Sequence, residues 1–121
     1  MEERRKFVRL DTTVRIRYKV LIPTEDHNDT NSRDLSSGGV KIEVKEPIKP
    51  STVLWLEINL PSETDPLEAK GEVIWQEKIA ATENNRYEMG IKFLEMDLND
   101  RNRLSKYLFS LLHSKFEQKS N

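Results

Sequence analysis

Residues 12–22 alternate without a break: Val14, Ile16, Tyr18, Val20 and Ile22 fall on one side, with Arg15, Arg17 and Lys19 on the other. A strand turns successive side chains to opposite faces, so this pattern specifies a strand with one wet and one buried face. The same residues on a helix would spread around its whole circumference. A chain that begins its fold in this way must supply further strands to cover that apolar face.

The sequence supplies them. Residues 23–31 are polar and proline-led and read as a loop; residues 32–35 start a second strand that ends in Ser36-Ser37-Gly38-Gly39, a turn by composition with glycines able to take positive φ. Val40, Ile42 and Val44 alternate with Lys41, Glu43 and Lys45 as a third strand. Residues 52–60 carry Leu54, Leu56, Ile58 and Leu60 on one face. Residues 68–78 read as a strand around Val73 and Trp75, with Gly71 marking a bulge or bend, and residues 86–95 carry Met89, Ile91 and Phe93. From Asp97 onward the period changes: Leu104, Leu108, Leu111, Leu112 and Phe116 recur at helical spacing, with Asp97 or Asn99 as the cap. The sum is a mainly β fold, a small antiparallel barrel or sandwich of five or six strands with one C-terminal α-helix covering an opening. The leucine stripe serves as barrel-packing core or, alternatively, as a dimer seam.

Composition narrows the function. With 121 residues the chain fits one domain. It has no cysteine, hence no disulfide, thiolate metal site or thiol nucleophile, and its two histidines leave little for a zinc site or a triad. His27 reads as a surface residue in a polar loop and His113 as a flank of the helix stripe. No membrane span or signal peptide is visible, so a cytoplasmic location is expected. The net charge of -1 conceals an asymmetry: residues 1–20 hold seven basic groups against three acids, while the remainder is acidic in balance. A basic head on a balanced chain suits a compact anionic ligand better than a long polyanion.

Two stretches could carry chemistry. The head contains Arg4, Arg5 and Arg9. Guanidinium forks grip phosphates bidentately and their flat faces stack on bases, although a solvated charged tail would look the same. The second stretch is Asp34-Leu35-Ser36-Ser37-Gly38-Gly39. Its carboxylate could accept paired hydrogen bonds from N1–H and the 2-amino group of a guanine, with Ser36 pointing to the same side. The alternative is an ordinary Asx- or Ser-type turn with no ligand.

In this order the two stretches resemble the PilZ domain family, bacterial receptors for the second messenger cyclic di-GMP. The RxxxR motif matches at Arg5 and Arg9, and the D/NxSxxG motif at Asp34, Ser36 and Gly39. Val73-Ile74-Trp75, Gly90-Ile91-Lys92-Phe93 and the C-terminal helix resemble the family's later elements, so the likeness covers roughly residues 3 to 117. The resemblance implies a six-stranded antiparallel β-barrel with a C-terminal α-helix over residues 12–118, preceded by a flexible ligand-binding segment over residues 1–11. It also implies that Arg5 and Arg9 hold phosphates and stack on guanine and that Arg4 helps accommodate an intercalated ligand dimer. Asp34 and Ser36 then read guanine, and Gly39 ends the turn. Trp75 would pack near the ligand or in the core. The resemblance further implies a non-enzymatic receptor, with cyclic di-GMP as ligand, no cofactor and no metal. Because no output domain is attached in this sequence, an unidentified protein effector in trans is expected as the partner.

Three other readings compete. A PilZ-like adaptor would act through protein contacts alone, against which stand the intact motif residues. A single-strand nucleic-acid barrel would interleave aromatics with basic residues, but Trp55, Trp75, Tyr87 and Phe93 lie in strands that are not notably basic. For an enzyme, no acid pair or His/Ser/Asp arrangement locates a centre.

Overall fold

The computed structural model describes residues 13–21, 28–61, 63–80 and 86–119. Six strands and a helix follow one another: β1 (Arg15–Val20), β2 (Asn28–Leu35), β3 (Gly39–Val44), β4 (Val53–Asn59), β5 (Leu67–Ala80), β6 (Arg86–Met96) and α1 (Leu98–Lys119). The strands pair antiparallel in the order β1-β2-β3-β6-β5-β4, and β1 returns to β4 to close a barrel. The expected six-stranded barrel with a C-terminal helix is therefore the fold.

Closure follows from the alternating pattern. Ile16 faces Ile58, Tyr18 faces Leu56 and Val20 faces Leu54 across β1–β4, while Val40 faces Ile91 and Ile42 faces Met89 across β3–β6. Each pair lies on the inner face, and a slip of one residue in any strand would turn its apolar set outward. The inward residues merge into one core.

The structure corrects several boundaries. β2 begins at Asn28, inside the stretch expected to be a loop, and pairs Asn28, Asp29, Thr30 and Asn31 with β1. Ladder hydrogen bonds belong to the backbone, so polar residues can hold a strand where the neighbouring strand supplies partners. β5 is longer than its apolar centre, running from Leu67 to Ala80, and it shifts register against β6 in three places. One shift lies at Gly71, as expected. A Cβ there would come within 2.5 Å of Ile91 Cγ2 and 2.9 Å of Leu56 Cδ1, so glycine leaves that space to the core. The unpaired residues at the three shifts are Leu94, Ile74 and Ile79, and all three are exposed.

The helix starts where the sequence indicates. Asp97 is its cap: its Oδ2 accepts the Asn99 amide at 3.1 Å and its carbonyl accepts the Arg101 amide at 2.9 Å. The first turns are fastened to the barrel end at which β4 gives way to β5. Asp100 Oδ2 accepts the Glu68 amide at 3.2 Å, and Arg103 donates to Glu63, Asp100 and the Asp65 carbonyl. The hydrogen bond to Glu63 holds the Arg103 guanidinium above even its ordinary pKa. Leu104 is fully buried and Leu108 nearly so, with Tyr107, Leu111 and Leu112 packed beside them. The side chain of Phe116 lies outside the described residues. Phe109 is 69% exposed and stacks on the His113 ring on the solvent side.

Two measurements check this packing. Leu104→Ala should cost about 2–5 kcal/mol in chemical denaturation, while Phe109→Ala should stay within about 0.5 kcal/mol. Tyr18 is buried in the core, and burial, aided by the charge of Glu46, raises its pKa from 10.0 to about 12. Between those values the unfolded chain has lost the phenolic proton and the folded chain keeps it, so stability falls as pH rises through that window. Tyr18→Phe should flatten this part of the denaturation-versus-pH curve.

Candidate functional site

Regular alternation would put Asp34 on the same face as Ser32, inside the barrel. Instead Ser32 pairs with Ile42 and Asp34 pairs with Lys41, so position 33 is an extra residue in β2. This bulge turns the carboxylate to the outer face while leaving Ser32 inside, where its Oγ accepts the Val14 amide at 3.0 Å. Leu35, the next residue, faces Val40 and is fully buried, which anchors the strand beside the carboxylate.

The turn that follows is held from within. The Ser36 amide donates to the Gly39 carbonyl at 2.9 Å, and Ser36 Oγ accepts the amides of Gly38 and Gly39 at 3.1 Å each. The Ser36 hydroxyl in turn lies 3.3 Å from the Gly39 carbonyl, to which it donates. Serine therefore does here what an Asx or ST turn does, satisfying amides that the reversal would otherwise strand. The glycines serve closeness and not the left-handed backbone expected of them, since no described glycine has positive φ. A Cβ on Gly39 would stand 2.2 Å from the Ile91 carbonyl oxygen, and the Gly38 carbonyl accepts the Phe93 amide at 2.9 Å. The turn is in this way stitched to β6.

Outside the barrel the register lines up one row across four strands: Asp34 in β2, Lys41 in β3, Gly90 in β6 and Trp75 in β5. Lys41 Nζ lies 3.4 Å from Asp34 Oδ2 and 3.9 Å from Glu88 Oε2. Trp75 lies half-buried on the outer face, not in the core. Its indole covers Gly90, where a Cβ would meet Nε1 at 2.2 Å. Asp34, Ser36 and Gly39 are thus brought together, and Trp75 stands in the same row two strands beyond Lys41. Arg4, Arg5 and Arg9 lie outside the described residues, as does His27. The sequence reading passed over Lys41 and Glu88, because only the strand register reveals that they border Asp34.

Asp34 and Ser36 are both buried, at 8% and 5% exposure. A cleft of about 490 Å³ lined by Thr30, Glu43 and Arg86, among others, shares no residue with the Asp34 row. Among the described residues no cluster of His, Asp or Glu could hold a metal ion, and no helix is long and apolar enough to cross a membrane.

The PilZ domain family model matches residues 3–110. The chain belongs to the PilZ domain family. No curated protein matches it in sequence. Among solved structures, this PilZ domain is similar to the Bacillus subtilis inhibitor of motility MotI/DgrA, with a TM-score of 0.78 and 22% identity over 94% of this chain and 54% of that one. It is similar to the PilZ domain of Escherichia coli YcgR with c-di-GMP, with a TM-score of 0.72 and 16% identity over 98% and 99% of the two chains. It is also similar to the K. pneumonia MrkH–c-di-GMP complex, with a TM-score of 0.71 and 17% identity over 97% of this chain and 56% of that one. The chain spans about half the length of the MotI and MrkH chains and nearly all of the YcgR domain.

The turn makes a direct prediction. Ser36→Ala leaves two amides without their acceptor and should cost about 1–3 kcal/mol. Gly39→Ala forces β3 away from β6 and should cost about as much or more. Thermal unfolding of the two variants beside the wild type measures both losses.

Proposed function

We propose that this PilZ domain is a receptor for cyclic di-GMP and that it relays the ligand to a protein partner in trans. The observation that carries the reading is the Asp34 carboxylate, turned by the bulge to the outer face of the barrel beside a hydrogen-bonded turn. Solved PilZ proteins with this fold include complexes with c-di-GMP. The chemistry agrees. A carboxylate can accept N1–H and the 2-amino group of one guanine together, and the turn amides fixed by Ser36 keep that carboxylate from drifting.

In this reading Arg5 and Arg9 grip the phosphates and stack on guanine, and Arg4 assists when two ligands intercalate. Ser36 and Gly39 complete the guanine-reading turn. Residues 1–11 form the ligand-binding segment that folds onto residues 12–118 when the nucleotide arrives, and the surface altered by this ordering is what the partner recognises. The domain performs no catalysis, requires no cofactor and acts in the cytoplasm.

Isothermal titration with cyclic di-GMP, using GTP and cyclic di-AMP as controls, tests the proposal. Selective binding is expected, lost in Arg5→Ala and Arg9→Ala with little change in melting temperature and reduced in guanine selectivity in Asp34→Ala. Absence of binding at about 100 µM, a free energy weaker than about 5.5 kcal/mol, would overturn it in favour of an adaptor that works through protein contacts alone.

A further inference from the structure

Asp34 shares the outer face with a cation held from two sides. Lys41 reaches up from β3 between Asp34 of β2, at 3.4 Å, and Glu88 of β6, at 3.9 Å. The side chains of Asp34, Lys41 and Glu88 are 12%, 28% and 18% exposed, so Lys41 is the most accessible side chain of the three. Strands on both sides fix its position, and its three N–H donors exceed what two carboxylate contacts take. Such an arrangement presents a ligand with an acceptor and a donor side by side, on rigid elements.

A guanine edge offers three groups in line: the 2-amino donor, the N1–H donor and the O6 acceptor. A carboxylate answers the first two and has nothing for the third; its own oxygen would stand beside O6 and repel it. We infer that Lys41 supplies the missing donor. Asp34 takes the 2-amino group and N1–H, and the Lys41 ammonium, 3.4 Å from the same carboxylate, donates to O6. Lys41 is then a specificity-determining residue, and Glu88 is a positioning residue that draws the ammonium from the β6 side. Adenine would be rejected at this point, since its 6-amino group sets a donor against the lysine donor and its N1 sets an acceptor against the carboxylate.

This inference rests on the cyclic di-GMP reading above and adds the atom by which the base is told apart. Replacing O6 with sulfur tests it, because a thiocarbonyl has the same connectivity and accepts hydrogen bonds weakly. Titrations of wild type, Lys41→Met and Lys41→Arg with cyclic di-GMP and with its 6-thio analogue give the answer, with melting curves to confirm folding. The wild type should prefer oxygen over sulfur. Lys41→Met should bind cyclic di-GMP about 10-fold or more weakly, lose much less on the thio analogue, and so forfeit the preference; Lys41→Arg should keep it. Equal losses on both ligands would mean that Lys41 merely attracts phosphate or steadies Asp34, and would overturn the inference while leaving the receptor reading intact. A wild type indifferent to the change from oxygen to sulfur overturns it even if Lys41→Met does not fold. A wild type that binds neither ligand sinks the receptor reading first, and the inference with it.

Discussion

A strand can present any given side chain to only one of its two faces, and the candidate site of this protein depends on a single interruption of that rule. Ser32 and Asp34 are two residues apart, which in an unbroken β2 would put a carboxylate inside the barrel opposite Val40 and turn Leu35 out to the surface. A charge there would lose its hydration without a compensating partner, a penalty of several kcal/mol after relaxation. The extra residue at position 33 lowers that cost by rotating the carboxylate to the outer face, where Lys41 lies beside it at 3.4 Å. It also leaves Ser32 where its hydroxyl can satisfy the Val14 amide. One insertion in register thus reconciles a closed apolar core with a charged group at its wall.

The turn after Asp34 has the same economy. Its amides are satisfied by Ser36, its backbone is sewn to β6 through Gly38 and Gly39, and Leu35 is locked in the core. Precision at a binding surface comes from neighbours that cannot move, and strands hold a side chain more firmly than loops do. The acid is in turn balanced by Lys41, which Glu88 shares, so local charge is distributed over three strands of the barrel wall. Asp100 and Arg103 fasten the helix to the β4–β5 connection, so that the buried leucines of α1 complete the core.

Much of this was legible in the sequence because alternation is a local property. β1, β3, β4 and the centre of β6 follow from the apolar residues they contain, and the helix from its change of period and its aspartate cap. The first half of β2 escaped because its residues are polar and its reason for being extended is a partner strand remote in sequence. The two glycines of the turn were expected to relieve φ, yet Gly39 is required by a carbonyl of β6, which no window of sequence can show. The same limit applies to the site. Asp34, Ser36 and Gly39 stand in one short run, whereas Lys41, Glu88 and Trp75 join them only through cross-strand register. The bulge that turns Asp34 outward leaves no compositional trace at all.

Because β1 pairs with both β2 and β4, every strand of the barrel has a neighbour on each side among the described residues, although β5 beyond Val73 is laddered to β6 alone. A sheet that ends in an open strand invites another chain to extend it through backbone hydrogen bonds, a mode of association that is largely indifferent to sequence. Closure denies this route wherever the ladder is complete. Whatever docks on the barrel wall must read its side chains, among them the outward apolar residues that the register shifts of β5 and β6 leave unpaired. Any contact made on this wall is therefore a matter of surface relief.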